Sequence, residues 1–169
     1  TTSRRQLIIH EVMGRNCGWL TATTARYYRK RLSSRTFFNE NGLDKNSWDI
    51  HAVYIPEIDI DIDSESKRLL KVMDDYDCVN IFLSEGAGID NIIKEKNSKG
   101  EKILQDAFGH YRLDEINPGK WYAEFFKNNI KCDKVLVQKS GYYSRSASPG
   151  KKDLKLIKEH ADLAVKFAM

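Results

Sequence analysis

The chain has 169 residues, 41% of them hydrophobic and 31% charged, enough apolar material for one packed domain, which excludes a disordered polypeptide. Twenty-eight Lys and Arg against 24 Asp and Glu leave a net charge of +4, an excess that a small phosphorylated ligand accounts for without a nucleic-acid partner. No apolar run reaches the roughly 20 residues that span a bilayer, and the start Thr-Thr-Ser-Arg-Arg is not a signal peptide, so no membrane partner is expected.

Strands alternate with helices along the chain. Gln6 to Val12 reads as a strand, followed by a helix over Cys17 to Leu32 whose Trp19, Leu20, Ala22, Thr23 and Tyr27 form the apolar side. Arg26, Arg29, Lys30 and Arg31 lie late in that helix, where cations suit the helix dipole. Residues 33 to 47 are polar, with Asn41-Gly42 near the middle, and read as a loop. His51 to Ile55 is a short strand stopped by Pro56, and Ser64 to Asp75 is a helix carrying Leu69, Leu70, Val72 and Met73. Cys78 to Leu83 is a buried strand that runs into Ser84-Glu85-Gly86-Ala87-Gly88. Asp90 to Lys96 reads as a short helix, and the weakly periodic stretch 97 to 117 as an insertion on the surface. Pro118 to Asn128 is a helix with Trp121, Tyr122, Phe125 and Phe126 on its core face. Asp133 to Gln138 is the last strand; a loop from Lys139 through Arg145 leads to an amphipathic helix over Lys151 to Ala168. This order predicts an α/β domain, a mostly parallel sheet with helices on both faces.

Several patterns take plain structural readings. Asp59, Asp61 and Asp63 alternate with isoleucines and are expected on one solvated face of an extended segment rather than around a metal. His10, His51, His110 and His160 share no ligand spacing, and Cys17, Cys78 and Cys132 include no Cys-x-x-Cys pair, so no metal site is predicted. Widely spaced cysteines in odd number fit a reducing, cytoplasmic setting, with Cys17 a small buried residue. The basic run from Arg26 to Arg35 has no aromatic platform beside it and reads as a solvated helix face.

Three strands end in glycine-bearing or charged loops: Met13-Gly14-Arg15, Glu85-Gly86 and Lys139 to Arg145. In a parallel sheet these loops share one edge, where α/β proteins bind ligands. Gly14 allows a sharp turn and close approach of backbone to ligand, and the Arg15 fork matches phosphate oxygens. The set makes a site for an anion and hydroxyls: Arg15, Lys139 and Arg145 for phosphate, Glu85 as hydroxyl acceptor, and Tyr142 as a stacking and donor surface.

Glu-Val-Met-Gly-Arg-Asn-Cys-Gly-Trp-Leu at 11 to 20, Ser-Glu-Gly-Ala-Gly at 84 to 88 and Gly-Tyr-Tyr-Ser-Arg-Ser-Ala at 141 to 147 resemble, in order and spacing, the fructose 6-phosphate side of the phosphofructokinases. The likeness covers most of the chain and is weakest across 33 to 50 and 97 to 117. Cys-Gly-Trp and Gly-Tyr-Tyr-Ser-Arg-Ser-Ala stand where ATP-dependent bacterial members typically carry Cys-Gly-Asp and Gly-His-Ile-Gln-Arg-Gly-Gly, and both departures look like the pyrophosphate-dependent branch.

The resemblance implies one domain of a two-domain fold, with residues 1 to 169 as the fructose 6-phosphate-binding domain and the phosphoryl-donor domain absent. It implies that Met13, Gly14 and Arg15 line the sugar phosphate, that Glu85 accepts from its hydroxyls, and that Tyr142, Arg145 and nearby Lys139 hold the 6-phosphate. Arg15 would be the catalytic group, stabilising charge on the moving phosphoryl. The implied reaction transfers a phosphoryl group from pyrophosphate, or less favourably ATP, to the 1-hydroxyl of fructose 6-phosphate. Mg²⁺ would be bound mainly by the missing half, and a homodimer or higher homo-oligomer is expected. The family's cross-subunit arginine falls near Arg4, Arg5 or Gln6. Neither the family's glycine-rich donor loop nor its Thr-Ile-Asp-Asn-Asp segment occurs here, so this stretch is expected to be inactive by itself. The alternative reading is a noncatalytic sugar-phosphate-binding or regulatory module.

Overall fold

The alternation of strand and helix patterns builds a four-stranded sheet. A computed structural model describes residues 5–38, 44–101, 103–107, 109 and 111–169; the Asn41-Gly42 turn, Arg4 and His110 lie outside them. The strands are β1 (Gln6–Val12), β2 (Ala52–Tyr54), β3 (Cys78–Ser84) and β4 (Lys134–Lys139), ordered β2-β3-β1-β4 and all parallel. Helix α1 (Trp19–Ser33) links β1 to β2 in one direction across the sheet. Helix α2 (Ile62–Tyr76), then α3 (Ile89–Ser98), α4 (Leu113–Ile116) and α5 (Pro118–Asn129), lead back in the other. Right-handed crossovers place helices of opposite travel on opposite faces. Accordingly α1 covers Phe82 and Val53, whereas α2 and α5 cover Leu7, Ile9, Val79, Ile81 and Leu83.

Local signals explain the boundaries. Asp61 caps α2 by accepting from the Ser64 backbone N–H at 3.2 Å and hydroxyl at 2.8 Å, and Asp63 and Glu65 sit in the first turn, where the helix dipole favours carboxylates. Asp59, Asp61 and Asp63 are exposed as expected, but the extended reading is corrected from Asp61 onward, where the segment is a helix start because cap and dipole outweigh a short strand pattern. Pro118 opens α5, where a missing N–H costs nothing. Tyr122 and Phe126 then turn inward to stack with Tyr54 at 5.6 and 6.3 Å between ring centroids. Leu69 is fully buried beneath the sheet. Leu69→Ala should lower unfolding free energy by about 2–5 kcal/mol, measurable by urea denaturation.

Three further expectations are revised. On α1 the buried residues are Thr21, Ala25 and Leu32, whereas Trp19 is 73% exposed, Tyr27 66%, and Cys17 before the helix is also exposed. Small side chains let α1 sit close to Phe82 and Ile50, turning its large apolar residues away from the sheet. The stretch 97 to 117 is more than surface decoration: Ile116 is buried, and Ile103, Tyr111 and Leu113 pack against the main core. The loop expected after Lys139 contains a short helix, α6 (Gly141–Ser146). Helix α7 (Lys151–Ala168) forms where its spacing predicts, yet none of its residues is buried.

Candidate functional site

β1 and β3 are neighbours whose outgoing helices leave toward opposite faces, and such a divergence opens a crevice at the carboxyl edge of the sheet. The loops after both strands meet there. Gly14 takes φ +142°, a conformation L side chains rarely adopt, and a Cβ at this position would lie 2.3 Å from the Cys17 carbonyl oxygen. Its N–H donates to Glu85 Oε1 at 3.1 Å, and its carbonyl accepts from the Ser84 hydroxyl at 2.6 Å. At Gly86 the approach is closer still, since a Cβ would sit 1.6 Å from the Arg15 carbonyl oxygen. Two glycines thus let two strand ends interlock.

Beside this crossing lies a cleft of about 360 Å³ lined by Glu11, Val12, Met13, Glu85, Leu113, Lys139, Gly141, Tyr142 and Arg145. Five residues predicted for the site, Met13, Glu85, Lys139, Tyr142 and Arg145, therefore share one cavity wall, with Gly14 fixed to Glu85 at its edge. Helix α6 presents two of them: Tyr142 is 87% exposed, and Arg145 stands in the last turn. The cleft combines two cations with carboxylates. Glu85 keeps acceptor capacity on its second oxygen for a hydroxyl donor, and Lys139 and Arg145 suit an anionic group.

Arg15 is placed differently. Its guanidinium donates to the Tyr111 carbonyl at 3.3 Å and lines an adjoining cavity of about 430 Å³ together with Asn16, Asp59, Asp90 and Asn91. Leu113 borders both cavities. The seven expected residues thus divide between a main cleft and a compartment beyond Gly86 that holds Arg15.

Glu11, Ser84, Tyr111 and Leu113 also border the site, and the sequence patterns assign them no role. Glu11 stood in view inside the Glu-Val-Met-Gly-Arg stretch, and a carboxylate among strand residues that alternate inward was the available signal. Nothing in the weak periodicity of 97 to 117 marked Tyr111 or Leu113. Below the crossing, burial pushes the Tyr122 phenol above its ordinary range, so it remains a neutral donor, 3.4 Å from the Ala87 carbonyl. Among the described residues no group of three or more His, Cys, Asp or Glu side chains is placed to hold a metal ion. No helix among them is long and apolar enough to cross a membrane.

No family model matches the chain. It is 54% identical over 164 residues to a pyrophosphate–fructose 6-phosphate 1-phosphotransferase of Methylomonas methanica, an alignment covering 97% of this chain and 40% of the relative. A protein of the same description from Mastigamoeba balamuthi is 53% identical over 169 residues, covering 100% of this chain and 41% of the relative. The chain thus spans about two fifths of the length of the curated relatives it matches. Among solved structures, the crystal structure of a pyrophosphate-dependent phosphofructokinase from Nitrosospira multiformis superposes with a TM-score of 0.56 at 18% identity, covering 99% of this chain and 33% of that one, which establishes likeness of fold.

Proposed function

The chain belongs to the phosphofructokinase family, and from that kinship we propose that it forms the fructose 6-phosphate-binding part of a pyrophosphate-dependent enzyme that phosphorylates the sugar 1-hydroxyl. The observation that carries this reading is the convergence of Met13, Glu85, Lys139, Tyr142 and Arg145 on one cleft of about 360 Å³ at the sheet's carboxyl edge. A cleft that combines cations with a hydroxyl acceptor has the chemistry a sugar monophosphate requires.

In this proposal Lys139, Tyr142 and Arg145 take the 6-phosphate, and Glu85 accepts from sugar hydroxyls while Gly14 N–H holds its other oxygen in place. Met13 supplies an apolar wall and packs beside Gly141, where a Cβ would come within 3.4 Å of Met13 Cγ. The reacting hydroxyl then points toward Gly14 and the Arg15 compartment. Arg15 meets the incoming phosphoryl group there and offsets the charge that develops on its oxygens during in-line transfer. Positioning and charge neutralisation are most of what such chemistry asks of a protein. Mg²⁺ ordinarily neutralises donor phosphates in phosphoryl transfer. We assign its binding mainly to the phosphoryl-donor half of the enzyme.

Calorimetric titration of the full-length enzyme with fructose 6-phosphate tests the reading. Saturable binding is expected, and Arg145→Ala should weaken it by about tenfold or more, since hydrogen bonds to charged groups contribute about 1.5–3 kcal/mol. Absence of saturation in the wild type would overturn the sugar-phosphate assignment. Binding without turnover from pyrophosphate would favour a noncatalytic sugar-phosphate module instead.

A further inference from the structure

The β1–β4 register places Glu11 directly opposite Lys139, so both side chains project to the same face of the sheet. Their Oε1 and Nζ atoms lie 3.3 Å apart, with the Glu11 side chain only 9% exposed and that of Lys139 51% exposed. The other Glu11 oxygen accepts from the Gly119 N–H at 2.9 Å, at the start of α5. The Glu11 main-chain carbonyl in turn accepts from the Ser140 N–H at 2.9 Å and hydroxyl at 3.0 Å, fixing the residue that precedes α6. One residue therefore joins the ends of β1 and β4 to the starts of α5 and α6, inside the cleft wall.

We infer that Glu11 is a positioning residue for the anion site, acting through Lys139; the inference rests on the sugar-phosphate reading of the cleft. A lysine carries its charge on a flexible four-carbon stem and gives up that freedom when it binds an anion. Held by a carboxylate that is itself fixed by a backbone N–H, the ammonium is already confined to the cleft and retains two N–H donors for phosphate oxygens. Ligand binding then orders less of the side chain. Gly119 is part of the device: a Cβ there would lie 2.3 Å from Glu11 Oε2, so a larger residue would displace the carboxylate from the helix start.

Glu11→Gln separates this role from a structural one. The glutamine oxygen can still accept from Gly119, while the amide group no longer attracts Lys139. In the full-length enzyme the variant should raise KM for fructose 6-phosphate about fivefold with kcat nearly unchanged, a modest loss for one pre-organised contact. In a Lys139→Gln background, which still offers Glu11 an amide donor, the same substitution should leave KM unaltered, because the residue through which Glu11 acts is gone. Thermal midpoints and circular dichroism identify any variant that fails to fold; a smaller effect in the Lys139→Gln background cannot come from general destabilisation. A fall in KM on Glu11→Gln, or an equal rise in both backgrounds, overturns the inference while the sugar-phosphate reading stands. A wild-type enzyme that shows no saturation with fructose 6-phosphate overturns both.

Discussion

Arg15→Ala in the full-length enzyme is expected to lower turnover by roughly 10²–10³-fold, the usual consequence of removing one donor aimed at developing charge. KM for fructose 6-phosphate should change little. The split follows from geometry: the guanidinium lines the compartment beyond Gly86, whereas the sugar-phosphate groups we assign line the main cleft. A side chain that contacts only the moving phosphoryl group stabilises the transition state without strengthening the ground-state complex. Steady-state kinetics with pyrophosphate and fructose 6-phosphate decides the matter. An Arg15→Ala enzyme with unchanged kcat would remove Arg15 from the chemistry, and one with raised KM and normal kcat would move it to the binding set. Arg15→Lys should recover only part of the loss, because an ammonium lacks the planar fork of donors.

The second large effect is expected at a residue with no side chain. Gly86→Ala introduces a Cβ at a point 1.6 Å from the Arg15 carbonyl oxygen, and the obstacle is main chain, which cannot swing aside as a side-chain tip does. The loops after β1 and β3 must part. Glu85 would then lose its hold on the Gly14 N–H, and Arg15 would shift relative to the cleft. A displacement of about 1 Å can cost a factor of roughly 10² in rate, so kcat/KM should fall by about that much through both of its components. The melting temperature should fall only modestly, since the core under α2 and α5 is untouched. A fully active Gly86→Ala enzyme would show that the crossing is free to relax and that its closeness has no catalytic consequence.

Much of this arrangement is legible in the amino-acid order, for identifiable reasons. The strands β1 and β3 announce themselves as apolar runs, and the glycines that follow them mark where the chain must turn and approach another segment. Because parallel strands put such loops on one edge, the cleft's membership follows from topology, and Met13, Glu85, Lys139, Tyr142 and Arg145 arrive together. Arg15 shows where this logic stops: sequence places its backbone at the edge but does not fix the direction of a long side chain, which the Tyr111 carbonyl determines. Tyr111 and Leu113 were hidden because their packing is tertiary and leaves no periodic trace. The exposed face of α1 teaches a related point. Apolar spacing identifies a face that favours burial, yet the sheet selected the side with Thr21 and Ala25, whose small volume permits close approach. In α7 the stripe of Leu154, Ile157 and Val165 is equally clear in sequence, and none of these residues is buried.

The order β2-β3-β1-β4 also sets a timetable. Strand β1, which precedes its two partners in the chain, occupies an interior position and pairs with Cys78 and Lys134 opposite its own Gln6, so neither of its edges can be satisfied until far later parts of the chain exist. Parallel pairings across such separations are slow, because closure of the intervening loops precedes any return in contacts. The part of the cleft that we assign to the anion is therefore the last to appear: Lys139 ends β4, the last of the four strands in the chain, and Tyr142 and Arg145 follow it. Until β3 and β4 have been made, Leu7 and Ile9, both fully buried in the finished fold, have no sheet neighbours to pack beside, which exposes this segment to aggregation during folding.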